Sequence, residues 1–243
     1  FNNSKVLPVD KFIENVLYNK KVGYYSSNLP FGKRGDFLTA PGISNLFSEI
    51  IGIWFISTWN TLGRPKNFNI VELGPGDGSL TKTLLTTFEK FPTFNRATRI
   101  FLYEKSTLLK RLQKKNIKNL KVKWIKNFTD IKKGPVIFLG NEFFDAIPIK
   151  QFKKVNNTLY EVCVKLDGNF KIKTFLKKAS LKTKIDLQKF NLLKNQYFIE
   201  FPKQGLNELD LIINAIKKQT GGLLLVDYGF LKQTNKNTLQ SVK

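Results

Sequence analysis

Three glycines alternate where an apolar run gives out. The string Glu72-Leu73-Gly74-Pro75-Gly76-Asp77-Gly78-Ser79-Leu80 leads out of an expected buried strand, Phe68–Leu73, and opens a stretch with helical spacing. Glycine at 74, 76 and 78 allows a tight turn and lets the backbone approach a ligand closely. The spacing is G-x-G-x-G, unlike the G-x-G-x-x-G of nicotinamide dinucleotide sites. A glycine-rich turn can also be plain chain reversal. The acid two positions before the first glycine favours the ligand reading. Glu72 fits the S-adenosylmethionine site of methyltransferases, where such an acid orders the turn and faces the cationic methionine end of the cofactor. Glu72, Gly74, Pro75, Gly76 and Gly78 are therefore candidate cofactor-binding residues.

Three further strings are expected at neighbouring strand ends. A second strand ends at Tyr103-Glu104, and an acid at that tip can accept both ribose hydroxyls, as in doubly wound nucleotide sites. The alternative is an acid at a helix start with a favourable dipole contact. After a third strand, Asn127 could hydrogen-bond an adenine edge and Phe128 could stack on the ring, or both are ordinary loop residues. A fourth strand runs into Gly140-Asn141-Glu142-Phe143-Phe144-Asp145-Ala146-Ile147-Pro148. Open α/β sheets place their active crevice at such a carboxyl end, so Asn141 joins the cofactor set and Glu142 and Asp145 are the candidate acids.

The elements that position these strings alternate. Strands are expected at 68–73, 99–103, 122–125 and 136–139, with helices at 79–91 and after residue 104. This βαβ rhythm implies an open parallel sheet with helices on both faces. Before it, a helix spans 10–19, and residues 23–42 form a long loop rich in Gly, Pro, Asn and Ser. Ser44 caps a helix whose Phe47, Ile50, Ile51, Trp54, Phe55 and Thr58 follow helical spacing. After residue 150 the pattern becomes short alternating runs with turn signals at Asn156-Asn157 and Asp167-Gly168, the mark of an antiparallel hairpin or small sheet. Residues 177–194 are Lys-rich and read as a solvated helix or loop. A strand at 197–201, a helix at 206–217 and a late buried strand at 222–226 complete the chain. The expected organisation is a helical cap with a cofactor-covering loop (1–65), a cofactor-binding core (66–150), a β-hairpin and Lys-rich insert (151–205), and a return to the core (206–243).

Composition removes several chemistries. There is no His, which excludes His-based triads, and the one Cys forms no internal disulfide and no cysteine zinc cluster. No metal site is expected. No apolar run reaches the roughly 20 residues of a membrane span. The formal charge is +23, but the excess is mostly Lys scattered among Asn, Ile and Phe, which reads as compositional bias rather than a nucleic-acid footprint.

Taken in order, the strings resemble one family. Gly23-Tyr24-Tyr25, then Gly35-Asp36-Phe37 with Thr39 and Pro41, then Phe47 and Glu49, match the N-terminal pattern of the MidA-like methyltransferases. The family includes the mitochondrial complex I assembly methyltransferase. Glu72–Gly78, the Asn141–Pro148 string and Asp227-Tyr228-Gly229 continue the match over nearly the whole chain. Lys126 stands where the family has an acid. The resemblance implies an α/β, class I (Rossmann-like) methyltransferase fold with an N-terminal helical cap and an antiparallel β insert. It implies S-adenosyl-L-methionine as cofactor and an arginine of a protein as substrate, a respiratory complex I subunit or its assembly partner. It places the chain in the bacterial cytoplasm or the mitochondrial matrix, leaves a homodimer open, and makes nucleic acid an unexpected partner. The absence of Met and the family's longer pattern lead us to expect a portion of a longer chain.

Methyl transfer is an in-line displacement, so the protein mainly positions its reactants. Carboxylates can hold a guanidinium bidentately and localise its charge away from the attacking nitrogen. Glu142 and Asp145 are the candidates for that clamp. Asp36 and Tyr24 or Tyr25, on the N-terminal loop, could close over the cofactor and exclude water, and Tyr25 and Thr39 join the candidate cofactor-binding residues. The plain alternatives are cap packing for Tyr24 and Tyr25, and turn stabilisation for Asp36. Asp227 and Tyr228 end a late strand and could line the same crevice; a structural role is the expectation. The rival functions are an RNA methyltransferase and a non-catalytic assembly protein that retains the cofactor fold.

Overall fold

The computed structural model describes residues 6–27, 44–118, 121–167, 169, 171–194, 196–229 and 235–239. In chain order its elements are β1 (Leu7–Pro8), α1 (Val9–Tyr18), the single turn α2 (Tyr24–Ser27), α3 (Asn45–Thr61), β2 (Phe68–Leu73) and α4 (Ser79–Glu89). Next come α5 (Pro92–Ala97), β3 (Thr98–Tyr103), α6 (Thr107–Asn116), β4 (Val122–Ile125) and β5 (Val136–Asn141). The last are β6 (Lys150–Val155), β7 (Thr158–Leu166), β8 (Ile172–Lys178), α7 (Leu181–Lys189), β9 (Phe198–Phe201), α8 (Lys203–Gln219) and β10 (Gly221–Val226). They divide into two compact units. One holds Leu17–Phe144 and Glu208–Asp227; the other holds Phe1–Val16, Asp145–Asn207 and Tyr228–Lys243.

The first unit is built on a parallel sheet of order β10-β5-β2-β3-β4. All six residues of β2 are buried, as expected of a strand covered on both faces. Alternate β2 side chains serve opposite layers. Phe68 and Ile70 join Leu84, Phe88, Phe94 and Leu139; Val71 and Leu73 join Phe101, Tyr103, Phe138 and Ile212. The chain steps outward from β2 to β3 to β4, then returns to the other side of β2 with β5. The strand order therefore reverses between β2 and β5, and a crevice is expected outside their carboxyl ends.

Two helices differ from their sequence patterns. Ser44 caps α3 as expected, accepting from the Leu46 N–H at 3.1 Å. The buried stripe of α3, however, is Ser48, Ile51, Gly52, Phe55, Ile56 and Trp59, whereas Ile50 and Trp54 face outward. Gly52 explains the rotation: a Cβ there would lie 2.9 Å from Thr87 Cγ2, so the helix seats its small residues against α4. Helix α4 ends at Glu89 rather than Phe91, because Pro92 disfavours helical backbone in the residue before it. Strand β10, expected to be buried, is half-exposed, with Leu225 open to solvent, because it pairs on one side with β5 and is the sheet's outermost strand among the described residues.

The second unit is antiparallel, with strands in the order β1-β7-β6-β9 and β8 on the other edge of β7. The β6–β7 turn is Asn156-Asn157, both left-handed (φ 45° and 60°), the conformation that suits a two-residue hairpin. Asp167 Oδ1 accepts from the N–H groups of Asn169 and Lys171, each at 2.9 Å, and organises the β7–β8 connection. The Lys-rich stretch contains α7, capped by Ser180, which accepts from the Thr183 N–H at 3.2 Å.

Residues grouped by their sequence into one N-terminal cap are divided between the units. Leu7 and Pro8 pair with Val164 and Cys163. Asp10 on α1, nearly fully buried, accepts from Lys150 Nζ at 3.3 Å, and Lys150 also donates to Glu161 at 2.6 Å. Burial lowers the Lys150 pKa, but the two carboxylates outweigh it and the net shift is upward. Among the described residues no helix is long and apolar enough to cross a membrane.

Candidate functional site

The glycine string forms the turn from β2 into α4. Gly74, Gly76 and Gly78 all have left-handed backbone, with φ of 60°, 55° and 85°. A Cβ on Gly74 would lie 3.0 Å from the Phe143 ring, and one on Gly78 would lie 2.7 Å from Ile117 Cδ1. Both positions thus lack room for a side chain as well as the backbone for one. The Gly74 N–H donates to the Tyr103 carbonyl at 2.9 Å, and the Gly78 N–H donates to the Pro75 carbonyl at 2.8 Å. Asp77 Oδ1 accepts from the Ser79 N–H at 2.9 Å and steadies the first turn of α4.

Two acids flank this turn. Glu72, at the end of β2, is 3% exposed and accepts from the Thr81 hydroxyl. Burial pushes its pKa up to about 7, with the Thr81 hydrogen bond pulling down and the Asp77 charge adding to the rise. Glu104, just beyond β3, is 9% exposed. Its Oε1 accepts from the Ser106 N–H at 2.7 Å and its Oε2 from Gln113 Nε2 at 3.2 Å. Burial again dominates and raises its pKa, against these hydrogen bonds. The contact with Ser106 at the start of α6 matches the helix-start reading. The two fixed oxygens at a strand tip also suit a diol.

Gln113 is the residue that sequence reasoning missed. Fully buried on α6, it donates to the Gly76 carbonyl at 2.8 Å and to Glu104, and accepts from Trp124 Nε1 at 2.8 Å. Asn116, one turn on, donates to the Asp77 carbonyl at 2.9 Å. In the sequence Gln113 sits in Lys110-Arg111-Leu112-Gln113-Lys114-Lys115 and resembles a solvated position. Its one signal is the apolar stripe through Leu109 that carries it to the inner face.

The remaining candidates fall at other strand ends or outside this set. Asn127 is exposed at the start of the 3-10 turn Phe128–Asp130. Phe128 packs against Tyr103 and Phe138, with centroid distances of 4.8 and 5.0 Å. The Tyr25 ring stacks on Tyr18 at 5.4 Å, and its carbonyl accepts from the Ser106 hydroxyl at 2.8 Å. Asn141 closes β5 opposite Val226. Glu142 has left-handed backbone, φ 50°, and its N–H donates to the Val226 carbonyl at 2.8 Å. This conformation is sparsely populated by residues other than glycine and is held here by its surroundings. Asp227 Oδ2 accepts from the Phe144 N–H at 3.0 Å, the structural role expected of it. Asp145 belongs to the other unit, while Asp36 and Thr39 lie outside the described residues.

The strand ends of the parallel sheet therefore carry a left-handed glycine turn, a buried acid on each of β2 and β3, and an irregular Glu142 after β5. A buried carboxylate with an elevated pKa suits a cationic group, and a glycine turn without side chains suits close approach of a nucleoside. This donor set fits S-adenosylmethionine. Among the described residues no group of acids or cysteines could hold a metal ion.

Comparison with known proteins agrees. A family described as S-adenosyl-L-methionine-dependent methyltransferase matches residues 50–243. The mitochondrial protein arginine methyltransferase NDUFAF7 of Danio rerio is 29% identical over 246 residues, covering 92% of this chain and 58% of the relative. Its Drosophila melanogaster homologue is 33% identical over 179 residues, 65% of this chain and 41% of the relative. The chain thus spans about half the length of these curated relatives. A likely methyltransferase from Burkholderia thailandensis, solved with S-adenosyl-homocysteine, superposes with a TM-score of 0.74 at 20% identity, covering 93% of this chain and 59% of that one. That likeness bears out the class I methyltransferase fold expected from the resemblance. The chain belongs to the S-adenosyl-L-methionine-dependent methyltransferase family.

Proposed function

We propose that the chain binds S-adenosyl-L-methionine at the carboxyl ends of the parallel strands and methylates an arginine of a protein. The observation that carries the cofactor half is the joining of Gly76 and Glu104 through one buried side chain, Gln113. When bound, the cofactor supplies a methyl group on a sulfonium. Gly74–Gly78 would take its backbone-facing side, Glu104 the ribose hydroxyls and Glu72 the positive charge. The arginine half rests on the NDUFAF7 relatives, which carry the name protein arginine methyltransferase.

Glu142 is the group we assign to the incoming guanidinium. A carboxylate accepts the fork bidentately, and its fixed charge disfavours delocalisation toward the attacking nitrogen. The left-handed φ of 50° suits a residue kept for position rather than for backbone comfort. Asp145 remains a second acid for the same task, and Asp36, Tyr25 and Thr39 remain candidates to cover the cofactor. The substrate class is a respiratory complex I subunit or its assembly partner, and the compartment the mitochondrial matrix or the bacterial cytoplasm; both follow from the family resemblance.

Calorimetric titration with S-adenosylmethionine, and separately with NADH, tests the cofactor half. Binding of the first alone, lost in Gly76→Val and Glu104→Ala, is expected; binding of NADH or of neither would sink it. Mass spectrometry of arginine peptides after incubation with labelled cofactor tests the other half. Glu142→Gln is expected to abolish the label while cofactor binding persists. Undiminished labelling in that variant would remove the clamp.

A further inference from the structure

A cavity of about 430 Å³ opens on the same unit, lined by Arg96, Thr98, Arg99, Phe101, Lys121, Lys123 and Lys132. These residues come from α5, from the amino-terminal parts of β3 and β4, and from the approach to β5. The candidate cofactor site lies at the carboxyl ends of the same strands, so this cavity is a separate place. Arg99 and Phe101 alternate on β3, and Phe101 is in register with Lys123 on β4, so one sheet face carries the cationic groups. The lining holds five cations and no carboxylate. Among the described residues, Arg96, Arg99, Lys123 and Lys132 take part in no ion pair.

Lysine bias does not explain the cluster. The chain has five arginines among its 41 basic residues, and two of the five line this cavity. Arginine offers a planar fork of donors matched to phosphate oxygens, which lysine does not. Arg99 is already oriented, donating to Asn67 Oδ1 at 2.6 Å. The volume suits a small ligand rather than an extended chain, which would need a row of cations along a groove.

We propose that this cavity binds a compact polyphosphate, the di- or triphosphate group of a small molecule. Repulsion among the five cations is relieved by such a ligand, and Arg96 and Arg99 supply the forks that orient it.

The test is calorimetric titration of the full chain with sodium tripolyphosphate at about 0.15 M salt, where long-range surface attraction is largely screened. Saturable one-to-one binding is expected. It should weaken about tenfold or more in Lys123→Gln/Lys132→Gln, both exposed and safe for folding, and in Arg99→Gln, with partial recovery in Arg99→Lys. The control, Lys153→Gln/Lys178→Gln on the antiparallel sheet, removes equal charge and should leave affinity unchanged. Equal weakening in pocket and control variants would reduce the effect to net charge and overturn the proposal. So would the absence of saturable binding, or binding of a single-stranded RNA that tripolyphosphate does not displace.

Discussion

The two units solve the same problem, buried polar groups, in opposite ways. In the antiparallel unit Asp10, Lys150 and Glu161 satisfy one another, so the charges close on themselves and hold α1 to the sheet. In the parallel unit Glu72 accepts from the Thr81 hydroxyl, while Glu104 and Gln113 are bound to backbone and to each other, and among the described residues neither acid forms an ion pair. Both acids are consequently held above their ordinary pKa by burial. A closed triad stabilises a fold. A pair of buried acids beside a glycine turn has capacity left over for a ligand.

The strongest way to break that contrast is to fill the turn. Gly76→Val puts a β-branched residue at φ 55° and is expected to cost about 3 kcal/mol or more of S-adenosylmethionine affinity, read by calorimetry. Next, Lys150→Met strands two carboxylates in the antiparallel unit. It should cost about 2–3 kcal/mol of stability in urea unfolding, discounted for the partial exposure of the pair, while leaving cofactor affinity within about twofold. If cofactor binding fell with it, the units would not be separable in function. Gln113→Leu removes the hub without its volume. It should weaken the cofactor by about 1–2 kcal/mol and shift the emission of Trp124, which loses its acceptor.

The smallest expected effect is a pH dependence. Glu72 is pushed up to about 7 in the folded protein from a reference of 4.5, so the folded state holds its proton more tightly than the unfolded state. Its contribution to stability therefore falls as pH rises from about 4.5 to about 7, and levels above that. A cation facing Glu72 demands the ionised form. Cofactor affinity should rise between pH 6 and pH 8, by no more than about tenfold, with proton release seen as a buffer-dependent heat. Glu72→Gln should flatten the profile; an unchanged slope would move the cation elsewhere.

The core strands and the glycine turn were legible because their signals are local. Short runs rich in apolar residues and bounded by turns set the limits of Phe68–Leu73 and Val122–Ile125. The face of α3 was not legible, because that helix is apolar almost all round and small residues, Ser48 and Gly52, decided which side could come close to α4. Gln113 was hidden for a related reason. Its importance lies in three partners distant in sequence, and a polar residue among lysines has nothing local to mark it. The division of residues 1–65 between units likewise depends on the long-range pairing of Leu7 and Pro8 with β7.

The discontinuity of the parallel unit has a consequence for how the chain is made. Strand β5 can pair with β2 once residue 141 has emerged, but its other neighbour, β10, starts at Gly221. The whole of residues 142–220 must emerge from the ribosome before that edge is covered. At about 5–20 residues per second this is on the order of ten seconds. Throughout that interval the nascent sheet presents the apolar edge of Val136–Leu139, a template for pairing with any other extended chain. Synthesis rate and chaperone occupancy, more than the stability of the finished sheet, should govern how much of this protein reaches its native state.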